Sequence, residues 1–122
     1  MGGAYWFTDS NATSTERSPL NVAISNTVFE NNQATGSGYG GVMYVANGTV
    51  NIDNGAFKTN TAGWDGGAIS TRTPYGGAPD SGPKLVINNS LFESNEATVY
   101  SGGAIGLYSE AEINNTKFIG NN

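Results

Sequence analysis

Apolar positions come in short bursts along this chain and hold no helical period. Val22-x-Ile24, Val50-x-Ile52 and the Val86-Ile87 pair are brief β-branched runs set among Asn, Ser, Thr and Gly. A lone Phe follows each run, and a small apolar pair comes later, behind two glycines. Runs this short, rich in Val and Ile, predict strands. Gly or Pro interrupts most windows that could hold a helix.

Aligned on the Phe, the bursts become a repeat. Ile24, Ile52, Ile87 and Ile113 stand five residues before Phe29, Phe57, Phe92 and Phe118. Asn26, Asn54, Asn89 and Asn115 stand three before it, and Asn32, Asn60, Asn95 and Asn121 three after. Ala34, Ala62 and Ala97 follow in the first three units. A spacer then leads to Gly40-Gly41-Val42-Met43, Gly66-Gly67-Ala68-Ile69 and Gly102-Gly103-Ala104-Ile105. The chain opens on Gly2-Gly3-Ala4-Tyr5, inside such a unit, which reads as a fragment of a longer solenoid or a unit that assembles. Units that repeat at this length must stack on one another.

The Val-Ile run predicts one strand, Phe-x-x-Asn a second ending in a turn, and Gly-Gly a tight corner into a third. Three short strands per unit of about 26 residues predict an all-β fold, a right-handed parallel β-helix (β-solenoid) of about three and a half to four coils. Residues 1–122 form one domain, with coils at 1–19 (partial), 20–48, 49–83, 84–111 and 112–122 (partial). The Phe column then stacks inside, and the Asn columns form ladders of side-chain amides.

Insertions fall at 8–19 and 71–83, both after the Gly-Gly strand, so both leave one edge of the stack. The spacers carry Tyr39, Trp64 and Tyr100, and the second insertion carries Tyr75. These four aromatics are the candidate exposed contacts, since Tyr and Trp anchor many interfaces. Lateral packing against the next coil is the competing reading.

Composition narrows the chemistry. Only 12% of residues are charged and the net charge is −5, so polarity rests on Asn, Ser, Thr and Gly. Five scattered Lys and Arg make no basic patch for nucleic acid. There is no Cys and no His, which removes disulfides and the usual zinc, haem and iron–sulfur ligands. No metal or cofactor is expected, and no apolar run approaches the roughly 20 residues of a membrane span. Asp9, Asp53, Asp65 and Asp80 sit in separate columns. Glu30, Lys58 and Glu93 share one, which reads as charge pairing between strands. No catalytic residue emerges, and the chain reads as no enzyme. Sequons at Asn11, Asn47, Asn88 and Asn114 would accept glycan only in a eukaryotic source.

Alternating Phe-x-x-Asn and Gly-Gly-Ala-(Ile, Leu or Val) resembles the repeat of chlamydial polymorphic membrane proteins. Phe29/Asn32, Phe57/Asn60, Phe92/Asn95 and Phe118/Asn121 fit the first motif. Gly66-Gly67-Ala68-Ile69 and Gly102-Gly103-Ala104-Ile105 fit the second, and Gly40-Gly41 more loosely. The resemblance implies an autotransporter passenger on the outer-membrane surface, with these motif residues tied to host-cell attachment. The expected function is thus a non-enzymatic extracellular adhesin, whose partner is a protein or glycan receptor. The alternative is a filament subunit that joins other copies through open β-helix ends.

Overall fold

The computed structural model describes residues 3, 5–8, 16–72 and 82–122. Asn11 and Tyr75 lie outside them, as do most of both insertions. The strands are β1 (Tyr5–Phe7), β2 (Asn21–Ser25), β3 (Val28–Glu30), β4 (Gln33–Ala34), β5 (Met43–Val45), β6 (Thr49–Asp53), β7 (Ala56–Lys58) and β8 (Thr61–Ala62). They continue as β9 (Ile69–Thr71), β10 (Lys84–Asn88), β11 (Leu91–Glu93), β12 (Glu96–Ala97), β13 (Ile105–Gly106), β14 (Glu110–Asn114) and β15 (Lys117–Ile119). No helix occurs among the described residues, so none there is long and apolar enough to cross a membrane.

Every strand pairs in parallel with its equivalent one repeat on. The four sheets run β1-β5-β9-β13, β2-β6-β10-β14, β3-β7-β11-β15 and β4-β8-β12. This all-β stacking of parallel strands is consistent with a β-solenoid. Four strand positions recur per repeat, where the sequence predicts three. The extra one is the dipeptide ending in Ala34, Ala62 or Ala97, which pairs in its own sheet.

The predicted columns are in register. Ile24, Ile52, Ile87 and Ile113 align, as do Phe29, Phe57, Phe92 and Phe118. Successive Phe rings stack at 4.9, 4.5 and 5.0 Å, close to the strand spacing of about 4.8 Å. Phe29, Phe57 and Phe92 form the core with Met43, Val50, Ile69 and Leu85.

The two Asn columns differ in role. Asn26, Asn54, Asn89 and Asn115 take left-handed φ between 45 and 55°, turning the chain from the first strand of a repeat into the second. The column after the Phe does not turn the chain. That conformation belongs to the residue before it: Asn31, Thr59, Ser94 and Gly120. Asn32, Asn60, Asn95 and Asn121 instead point inward as a ladder. Asn60 Nδ2 donates to Asn95 Oδ1 at 2.9 Å and to the Phe29 carbonyl at 3.0 Å. Its Oδ1 accepts from the Asn32 backbone N–H and Nδ2, both at 3.0 Å.

Candidate functional site

The motif residues are mostly shut away from partners. Phe29, Phe57 and Phe92 are buried, as are Asn60 and Asn95; Phe118, on the last strand, is 47% exposed. Gly40, Gly41, Gly66 and Gly67 are buried, and Gly102 and Gly103 are half-buried. A Cβ on Gly67 would lie 1.9 Å from the Gly103 carbonyl oxygen, so the glycine column exists for close backbone approach. Of the sequons, Asn47 is buried, Asn88 is half-buried and Asn114 is exposed; Asn114 donates to Asn88 at 3.1 Å.

The spacer aromatics come together on the outside. The Trp64 N–H bonds the Gly38 carbonyl and the Tyr100 N–H bonds the Trp64 carbonyl, both at 2.9 Å, so the spacers stack like the strands. Trp64 lies 6.0 Å from Tyr39 and 4.5 Å from Tyr100 between ring centres. Tyr44, on β5, extends the row, 5.8 Å from Tyr39. The Arg72 guanidinium sits 5.9 Å over the Tyr39 ring, within cation–π range. Burial raises the Tyr44 hydroxyl above its ordinary pKa, and Arg72 partly offsets this. Lateral packing and exposure both apply: Tyr39 and Trp64 are half-buried, whereas Tyr100 is 58% exposed.

Beside this row a hollow opens, and the sheet register explains it. Trp6, Tyr44, Ser70 and Gly106 occupy one column of the β1-β5-β9-β13 sheet. Their neighbours Met43, Val45 and Ile69 fill the core, and period-two alternation turns this column outward. Side-chain bulk falls along it from Trp and Tyr to Ser and then nothing. The result is a cavity of about 360 Å³ lined by Tyr39, Trp64, Ser70, Thr71, Arg72 and Tyr108.

Two buried polar groups lie at or next to this cavity. Ser70 Oγ is fully buried and makes no hydrogen bond. Asp65 is 1% exposed, and neither carboxyl oxygen accepts a bond of normal geometry. Its carboxyl lies over Gly106, where a Cβ would stand 2.6 Å from Oδ1. The Tyr108 hydroxyl reaches toward Asp65, whose hydrogen-bonding pull, followed by desolvation, raises the tyrosine above its ordinary pKa. Thr71 is already engaged, accepting from the Tyr108 N–H at 3.0 Å.

Sequence reasoning found the aromatics but not this group of Asp65, Ser70, Arg72, Gly106 and Tyr108. Counted back from the Gly pair, Asp65 takes the place of Tyr39 and Ser101, a mismatch that was the available signal. Among the described residues no group of three or more acidic, Cys or His side chains could hold a metal. Compared with protein families, curated proteins and solved structures, the chain matches none.

Proposed function

We propose that this chain is a right-handed parallel β-helix of about three and a half to four coils that serves as a non-enzymatic extracellular binding scaffold. The reading is that of an adhesin or passenger-type module of the polymorphic-membrane-protein kind, displayed at a cell or outer-membrane surface. The observation that carries it is the outward row Tyr39–Trp64–Tyr100 beside an open cavity, on a scaffold whose repeated motifs face inward. A row of Tyr and Trp held by stacked backbone offers large contact area at low entropic cost. The motifs therefore act in attachment by building the scaffold, and the spacers make the contact.

The alternative, a filament grown by stacking, would use the edge at β14 and β15, where Ile113, Phe118 and Ile119 are exposed. A further repeat of a longer chain would cover the same residues in the same way, so this edge does not favour filaments. The test is adhesion of labelled protein to cultured cells. Replacing Trp64 and Tyr100 together by Ala should cut binding at least tenfold while strand content by circular dichroism is kept. Undiminished binding by that variant, or long fibres of the pure protein in electron micrographs with no cell binding, would sink the reading.

A further inference from the structure

We infer that the cavity beside Trp64 is a sugar-binding site that takes one neutral hexopyranose ring. The inference rests on the surface-display reading and names the ligand class of that same face. A volume of about 360 Å³ lies within the usual range of ligand sites, about 300–1,000 Å³. Three of its six lining residues, Tyr39, Trp64 and Tyr108, are aromatic. The faces of such rings are electron-rich and attract the weakly positive C–H face of a pyranose.

The polar groups match the same ligand. Ser70 Oγ lines the cavity, buried and unbonded, and can both donate and accept. The Asp65 carboxyl lies over Gly106, the sheet partner of Ser70, and besides the Tyr108 hydroxyl it keeps lone pairs that can accept from sugar hydroxyls. Buried polar groups left unbonded cost folding free energy. Ser70 Oγ, fully buried at the cavity wall with no bond of its own, marks a place for a ligand hydroxyl. Charge selects against the alternatives. Arg72 at the rim disfavours an ammonium ligand in the aromatic walls, and Asp65 disfavours an acidic sugar. A neutral polyol satisfies both.

The whole chain would be screened on a glycan array and titrated by calorimetry with methyl glycosides of neutral hexoses. Neutral glycans should bind. Asp65→Asn, which is isosteric and keeps an acceptor for the Tyr108 hydroxyl, should weaken binding at least tenfold while its Tm changes little. Ser70→Ala should weaken binding less, and Arg72→Gln should leave neutral sugars bound. Equal affinity for a methyl glycoside and a longer glycan would locate recognition in a free ring. A need for the longer glycan would locate it in the terminal unit of a chain, and either result upholds the site. The proposal is overturned by an array without neutral hits, by preference for trimethylammonium compounds or sialylated glycans, or by full affinity in folded Asp65→Asn. If the wild type binds cells and Asp65→Asn binds them equally well, the sugar site falls and the display reading stands. If the wild type binds sugar but no cells, the display reading alone falls.

Discussion

Asn60 and Asn54 are the same residue type in the same repeat with opposite duties. Asn60 is fully buried and makes its bonds to Phe29, Asn32 and Asn95 inside the stack. Replacing it by Ala strands a backbone carbonyl and a backbone N–H. At about 1–3 kcal/mol for each orphaned group, Asn60→Ala should cost about 4 kcal/mol in urea unfolding. Asn54 is exposed, holds φ 55° and bonds Asn26. Asn54→Ala should cost only about 1–2 kcal/mol, chiefly for the left-handed backbone. The glycines divide in the same way. Gly67→Ala drives a methyl into the Gly103 carbonyl at 1.9 Å and the Glu96 nitrogen at 2.5 Å, both backbone, and should abolish the cooperative transition. Gly36 has φ +62° and open space, so Gly36→Ala should lower stability by about 1 kcal/mol and leave the fold intact.

At the scale of strands, Lys84 on β10 bridges Glu110 at 3.2 Å and Glu112 at 2.6 Å on β14, and Arg17 meets Glu110 at 2.8 Å. Arg17 also bonds the Gly82 carbonyl, so the two insertion stems meet, as their shared edge predicts. Hydrogen bonds from Arg17 and Lys84 hold Glu110 below its ordinary pKa of 4.5. A lowered carboxyl stabilises the fold above 4.5 and loses that contribution as pH falls through its depressed value. Thermal melts of Glu110→Gln should therefore show a flatter acid limb than the wild type. The mirror case is Lys84, raised above 10.5 by Glu112 and then Glu110, whose contribution fades only at higher pH. Strand register was legible from the Ile, Phe and Asn spacing because those side chains repeat where the backbone repeats. The fourth strand was not, since two residues such as Thr61–Ala62 carry no period of their own. The cavity was hidden for a further reason. Its outward column of Trp6, Tyr44, Ser70 and Gly106 has no common residue type, and its meaning is a gradient visible only after alignment.

For the whole molecule, the strands of each repeat pair only with those of the adjacent repeats, and Arg17 with Glu110 is a longer clasp across the stack, so stability is close to a sum of layers and interfaces. Hydrogen exchange should be slowest in β7 and β11, where Phe57 and Phe92 are fully buried between rings, and fastest in β14 and β15, where Ile113, Phe118 and Ile119 are exposed. Uniform protection across all repeats would contradict this layered account. The inner amide ladder carries a mechanical consequence. Asn32, Asn60, Asn95 and Asn121 join one layer to the next in a single file, parallel to the strand-to-strand bonds. Tension applied along the stack loads these junctions in series, so every junction bears the full pull and the weakest parts first. Tension along the strands instead shears many bonds at once. A tether pulled along its stacking axis would thus lengthen in steps of one repeat, giving way gradually where a compact domain would snap.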